Sequence, residues 1–201
     1  AALVLGAGFL IYRLLFIAPE QAPLVIETVK GQVSLEAAGQ RQVAEVGIAL
    51  NGSDRLIAGP DGTAVIAVGD SSKLTLEPDS SMEVLASEGD GVRVALEDGR
   101  IQATVRPGGD AVSVLAGGRA VTATDADFTA AYINGDFEAR ISRGGVQLAG
   151  FGGIRELDAG ERVRALDGQE PTREPVPEDL LLQVQWPERR TREEEVVLSG
   201  T

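Results

Sequence analysis

Residues 92–105 read Val92-Arg93-Val94-Ala95-Leu96-Glu97-Asp98-Gly99-Arg100-Ile101-Gln102-Ala103-Thr104-Val105. Successive side chains of an extended chain point to opposite faces. Val92, Val94 and Leu96 therefore share one face, and Arg93, Ala95 and Glu97 the other. Ile101, Ala103 and Val105 repeat the pattern after Asp98-Gly99, a dipeptide that tolerates the positive φ of a tight turn. The stretch predicts a β-hairpin turning at Asp98-Gly99.

The same grammar extends on both sides. From about Leu24 to Ala165, short alternating runs are broken by Asn51-Gly52, Pro60-Asp61-Gly62, Gly69-Asp70, Pro78-Asp79, Gly89-Asp90-Gly91, Pro107-Gly108-Gly109, Gly117-Gly118, Asn134-Gly135 and Gly144-Gly145. Asp167-Gly168 closes the series. Such spacing indicates an all-β fold: a sandwich, a roll, or a short solenoid-like stack of antiparallel strands. Phe128, Ala130 and Tyr132 are expected to pair with Phe137, Ala139 and Ile141 through Asn134-Gly135. Leu74 and Leu76 form a short inward pair, and Val65 is read as facing inward with Ala67. No segment here keeps a helical period over three turns. The core is aliphatic, with Phe128, Tyr132, Phe137 and Phe151 as its aromatics.

Composition narrows the chemistry. The 201 residues contain 18 Lys and Arg against 31 Asp and Glu, a formal net charge of -13. A nucleic-acid binder needs a basic face to displace counterions, so the balance argues against that class. The chain has no Cys and no His. Disulfides, thiolate metal sites, Cys nucleophiles, Ser-His-Asp triads and imidazole ligands are excluded with them.

The two ends read differently from the middle. Ala1–Ala18 is AALVLGAGFLIYRLLFIA, which as a helix spans roughly 27 Å, close to a bilayer's hydrocarbon core. It is read as one transmembrane helix whose N-terminal flank lies outside this sequence, with a signal-peptide core and a buried core helix as the alternatives. Leu3, Val4, Leu5, Phe9, Leu10, Ile11, Leu14, Leu15, Phe16 and Ile17 supply the membrane-anchoring surface. Arg13 is the one charge, read either as snorkelling to the interface or as facing a partner in the membrane. Ala2 and Gly6, a small-x-x-x-small pair, allow close helix approach. Residues 19–24 are a linker, 25–168 the β domain, and 169–179, with three prolines, an extended linker. Residues 180–201, including Glu195-Val196-Val197-Leu198-Ser199-Gly200-Thr201, resemble the early strands of an immunoglobulin-like module.

The order of the central motifs resembles the FecR-like domain of bacterial envelope proteins. Val29-Lys30-Gly31-Gln32-Val33 matches its opening Gly-x-Val strand. Leu50-Asn51-Gly52-Ser53-Asp54-Arg55-Leu56 resembles its L-x-x-G-D-x-I step, with Ser53 inserted. Gly59-Pro60-Asp61-Gly62-Thr63-Ala64-Val65-Ile66 and Ser72-Lys73-Leu74-Thr75-Leu76-Glu77-Pro78-Asp79-Ser80 follow in the family's order. Val94–Ile101 is similar to L-x-x-G-x-I, and Val121–Phe128 to V-x-T-x-x-G-T-x-F with Ala126-Asp127 in place of Gly-Thr. Gly144–Leu148 and Leu157–Glu161 resemble the closing G-x-V-x-V and L-x-A-G-E strands. The resemblance covers about 140 residues. It implies an all-β, non-enzymatic domain outside the bacterial inner membrane, behind a single membrane helix.

The resulting expectation is a membrane-anchored periplasmic binding or scaffold module for assembly or signal transmission in the cell envelope. Its partners are other envelope or membrane proteins, as a homo- or hetero-oligomer, with no cofactor, metal or catalytic residue. Two alternatives stay open: a subunit of a multiprotein inner-membrane machine, and a FecR-type transmembrane sigma-factor regulator. A carboxylate-dependent glycan hydrolase would rest on Asp125 and Asp127, which on one strand face would lie roughly 7 Å apart. Few aromatic platforms accompany that pair, and no Asp-x-Asp-x-Asp-Gly loop supports calcium binding.

Overall fold

The computed structural model describes residues 24–85, 91–167 and 169–176. The expected transmembrane helix with its anchor residues, Ala2, Gly6 and Arg13, lies outside the described residues. So do residues 19–23 of the first linker, Gly89-Asp90, Gly168, and the immunoglobulin-like segment. Among the described residues there is no helix.

Sixteen strands run in chain order among the described residues: β1 (Leu24–Lys30), β2 (Val33–Ala37), β3 (Gln40–Val43), β4 (Ala49–Leu50), β5 (Arg55–Ala58), β6 (Thr63–Val68), β7 (Ser72–Leu76) and β8 (Ser80–Leu85). They continue as β9 (Val92–Val105), β10 (Val112–Ala116), β11 (Arg119–Ala123), β12 (Ala126–Ile133), β13 (Asp136–Ala149), β14 (Glu156–Asp158), β15 (Glu161–Ala165) and β16 (Thr172–Pro175).

The ladders sort into two layers. The front layer runs β4, β1, β6, β7, the second half of β9, β12, the first half of β13, β15 and β16. The back layer runs β3, β2, β5, β8, the first half of β9, β10, β11, the second half of β13 and β14. The alternating inward residues of both layers form one aliphatic core, in which Ile26, Ile66, Leu74, Met82, Ile101 and Val114 are fully buried. Phe137 and Phe151 meet in it edge to face, centroids 5.2 Å apart at 66°.

The predicted hairpin at Asp98-Gly99 is not a hairpin. β9 is one strand of 14 residues whose first half pairs with β8 and β10 and whose second half pairs with β7 and β12. The chain does reverse there, but across the core, so the two arms face each other through side chains instead of sharing hydrogen bonds. Chain length requires this fold-back. A straight 14-residue strand would span roughly 45 Å. Only Arg106–Ala111 separate its end from Val112, which pairs with its beginning, Val92; that connection reaches at most about 25 Å. Gly99 makes the corner possible. Its φ is +88°, and a Cβ there would sit 2.2 Å from Ser80 Oγ and 2.6 Å from the Asp79 carbonyl oxygen. Gly144-Gly145, read as a turn, is likewise a corner inside a continuous strand, β13, which pairs in the front layer before it and in the back layer after it.

These crossings line the two edges of the sandwich. β1 to β2, β5 to β6, β7 to β8 and the corner of β9 cross at one edge. There Gly59 N–H donates to the Gln32 carbonyl at 2.8 Å, and Asp79 N–H to the Gly59 carbonyl at 3.1 Å. β9 to β10, β11 to β12, the corner of β13 and β14 to β15 cross at the opposite edge. β9 with its following loop makes a full circuit of the core, so β10 comes back beside the start of β9 pointing the same way. That explains the parallel pair, Val112↔Val92 to Leu115↔Ala95, in a fold expected to be antiparallel throughout; every other ladder is antiparallel.

Other expectations fared variously. The β12–β13 hairpin has the predicted register, with Phe128↔Ile141, Ala130↔Ala139 and Tyr132↔Phe137. Its turn residues Asn134 (φ 54°) and Gly135 (φ 89°) both take the positive φ of a type I′ turn. Leu74 and Leu76 are buried as expected. Val65 and Ala67 are not on the inner face; Ala64, Ile66 and Val68 are. The stretch read as a linker from residue 169 contains β16, which pairs with β15. Two ion pairs span the ladder: Arg173 binds Glu161, and Arg162 Nη2 lies 2.6 Å from Glu174 Oε2.

Candidate functional site

Asp125 and Asp127 meet a different fate from the one a catalytic pair needs. Asp125 lies in the crossing before β12, and Asp127 is the second residue of β12. Arg143, at the corner of β13, bridges them: its Nη1 is 2.6 Å from Asp125 Oδ1, and its Nε donates to Asp127 Oδ2 at 2.8 Å. Arg143 Nη2 also donates to the Val105 carbonyl at 3.0 Å, and Arg106 Nη1 donates to both oxygens of Asp127 at 3.1 and 3.3 Å. Partial burial pushes the Asp127 carboxyl upward, but the hydrogen bond and charge of Arg143, joined by Arg106, outweigh it and hold the group below the usual carboxylate range. The hydrogen bonds to Asp127 and Asp125 raise Arg143 in turn. A glycosidase's acid must keep its proton near neutral pH, which calls for a raised carboxyl. Asp127 is shifted the opposite way. The cluster fastens three neighbouring crossings of one edge to each other.

Two other places present surface of a different character. Among the described residues the large hydrophobic side chains left exposed are Val43 at 73%, Val46 at 63%, Ile133 at 45% and Leu166 at 38%. They fall into two pairs. Val43 and Val46 flank the outer end of the back layer. There β3 pairs only with β2, so its far side offers unpaired N–H and C=O groups. Natural sheets guard such edges with shortness, charge or proline. The other three outermost strands are guarded in these ways. β4 has two residues, β14 carries Glu156 and Asp158, and β16 carries Arg173, Glu174 and Pro175. β3 is Gln40-Arg41-Gln42-Val43, all four exposed, with Arg41 its one charge.

The second pair, Ile133 and Leu166, borders a groove on the outer face of the front layer. Arg100 from β9, Arg140 and Glu138 from β13, and Arg164 from β15 line it. Arg164 Nε donates to Glu138 Oε2 at 2.7 Å, and Arg140 Nη2 reaches Glu138 Oε1 at 3.4 Å. One carboxylate thus serves two guanidinium groups.

None of these surface residues was singled out by the sequence. The signal available for β3 was a polar run, Gln40–Gln42, without an inward apolar set. For the groove it was a recurrence of Arg at outward positions of β13 and β15. Among the described residues no group of three or more carboxylates is arranged to hold a metal ion.

Comparison with known proteins follows the same lines. The FecR protein family matches residues 54–147. No curated protein matches the chain. Among solved structures, a crystal structure of a protein from Parabacteroides distasonis, provisionally assigned as an anti-sigma factor, superimposes with a TM-score of 0.53 at 14% identity. The superposition covers 60% of this chain and 59% of that one. A second crystal structure of an anti-sigma factor so assigned, from the same organism, gives 0.52 at 14% identity, over 59% and 57% of the two chains. At that identity the likeness is one of fold, and the match spans under two thirds of those chains.

Proposed function

We propose, on the match of residues 54–147 to the FecR protein family, that the protein is a non-enzymatic regulatory module that works by binding other proteins. In this reading Ala1–Ala18 anchors it in the bacterial inner membrane, and the β domain stands in the periplasm to receive an envelope partner. The observation that carries the proposal is the open edge of β3, with Arg41 as its one charge, beside exposed Val43 and Val46. An extended segment of a partner can add there as a further strand, taking affinity from backbone hydrogen bonds and register from alternate side chains. The locked carboxylates of Asp125 and Asp127 agree with a binding role.

A second reading, a transmembrane sigma-factor regulator, is favoured by the fold it shares with proteins assigned as anti-sigma factors. It differs in requiring a cytoplasmic partner on the far side of the membrane.

The test has two parts. Protease added to spheroplasts is expected to degrade the β domain; full protection would overturn the periplasmic placement. A photo-crosslinking residue at Val43 is expected to capture one defined envelope protein in cells, and one at Glu83, on the back-layer face, is not. Equal labelling at both positions would sink the edge-binding mechanism.

A further inference from the structure

We propose, on the edge-binding reading, that the strand which adds to β3 is β3 of a second copy of this chain, paired antiparallel about a two-fold axis at Val43.

Hydrogen-bond parity defines what the edge offers. Ala44 N–H donates to the Val33 carbonyl at 3.0 Å, and the ladder continues from Ser34↔Val43 to Ala37↔Gln40. Successive residues of an antiparallel strand alternate in the side to which their backbone groups point. Gln40, Gln42 and Ala44 therefore bond to β2, while Arg41 and Val43 turn their N–H and C=O outward. Glu45 is next in that alternation, just before the chain turns at Val46-Gly47. The side chains of Arg41 and Val43 lie on the outer face, because Leu35 and Val33, which stand opposite Gln42 and Ala44, are buried. Glu45 continues that outer row.

The order of these three residues makes the edge complementary to itself. Laid antiparallel on its own copy with Val43 against Val43, it brings Arg41 opposite Glu45 at both ends of the contact. The outward backbone groups match in the same register, giving about six hydrogen bonds. Centring the pair on Gln42 instead sets Arg41 against Val43 and leaves Glu45 without a cation. Centring it on Arg41 sets two guanidinium groups face to face. Of these three registers the Val43 one alone joins opposite charges, and opposite charges directly across a ladder stabilise it where like charges do not.

The side chains are free for these partners. Val43, at 73% exposure, is the most exposed large hydrophobic among the described residues. Glu45 is exposed and makes no ion pair among the described residues. Arg41 meets Glu36 at 3.4 Å, a carboxylate that also lies 3.6 Å from Arg55. Symmetry limits the assembly. Among the described residues β3 is the outermost strand left open in this way, so the isologous contact closes at two copies and does not propagate.

The test is sedimentation velocity of the full chain in detergent, at up to about 100 μM. The wild-type chain is expected to form a concentration-dependent dimer. Arg41→Glu and Glu45→Arg each set like charges opposite one another and are expected to weaken it about tenfold or more. Mixing the two variants is expected to restore association, because each reversed charge then meets the other; misfolded chains give no such recovery. A wild-type chain that stays monomeric, a dimer indifferent to both reversals, or a mixture that stays monomeric overturns the proposal. Photo-crosslinking at Val43 separates this proposal from the reading it rests on. A product of twice the chain mass supports self-pairing. Capture of a different envelope protein at Val43, with Glu83 silent, keeps edge binding and overturns self-pairing. Equal labelling at both positions overturns both.

Discussion

Replacing Gly99 with alanine tests the corner on which the two-layer arrangement depends. At φ +88° an L-residue pays about 1–2 kcal/mol. The new Cβ would also stand 2.2 Å from Ser80 Oγ and 2.6 Å from both the Asp79 carbonyl oxygen and Ser80 Cα. Two of those atoms are backbone and cannot rotate away. Ser80 must shift, and its hydroxyl holds two bonds: it accepts from Arg100 N–H at 2.8 Å and donates to the Pro78 carbonyl at 3.0 Å. Losing both costs about 1–3 kcal/mol. The reduced freedom of the unfolded chain returns about 0.4–1 kcal/mol. The net loss centres on about 3 kcal/mol, which at a urea slope of roughly 2 kcal/mol/M lowers the midpoint by about 1.5 M. Gly108→Ala is the matched control. Its φ is +82°, yet a Cβ there meets nothing within 4 Å. It carries the conformational term alone, and its midpoint should fall by less than about 0.8 M. Equilibrium urea unfolding followed by circular dichroism reads both. Equal shifts for the two variants would refute the claim that close approach of Ser80 and Asp79, and not positive φ, dictates glycine at 99.

Three further outcomes are expected. Phe137→Ala, at the centre of the core against Phe151, should cost about 3–5 kcal/mol in the same unfolding assay, and a loss below about 1 kcal/mol would mean that the ring pair is not packed as described. Asn134→Ala should cost about 1 kcal/mol because the turn requires positive φ, whereas Asn134→Gly should be nearly neutral; identical melting of the two would contradict the type I′ geometry. Asp127 has a lowered native pKa, so its contribution is fully present above the unfolded value near 4 and is lost as pH falls through the native one. Thermal melts from about pH 6 down to about pH 2.5 should therefore show a shallower acid loss for Asp127→Asn than for the wild type, and superimposable slopes would rule that linkage out.

The all-β character was readable because alternation and glycine turns are local. The β12–β13 hairpin was readable for the same reason: Asn134-Gly135 leaves the chain few alternatives. Asp98-Gly99 shows where local reading stops. A hairpin in the plane of a sheet and a corner between two sheets both reverse the chain over two residues, and both bury Leu96 and Ile101. Only the partners of the flanking arms distinguish them, and those are β7, β8, β10 and β12, distant in sequence. Val65 and Ala67 were misplaced because Thr63-Ala64-Val65-Ile66-Ala67-Val68 is apolar at both parities, so alternation carries no sign. Asp125 and Asp127 looked like a free pair because nothing in their neighbourhood of sequence announces Arg106 or Arg143. The two arginines reach them only after the corner of β13 and the loop after β9 have been folded onto one edge. The groove was hidden for a similar reason. Arg100, Arg140 and Arg164 are far apart along the chain and become neighbours only through the β9–β12–β13–β15 register.

The strand order of the front layer also sets a length. β1 and β16 lie near its two ends, with β6, β7, β9, β12, β13 and β15 between them. At about 4.8 Å per step, the path across the sheet between them is roughly 34 Å. Whatever precedes Leu24 and whatever follows Val176 are thus held apart by a stiff spacer measured crosswise to its strands. A pull between the two termini would load the ladders one after another, like a zipper opened from its end, and not all at once.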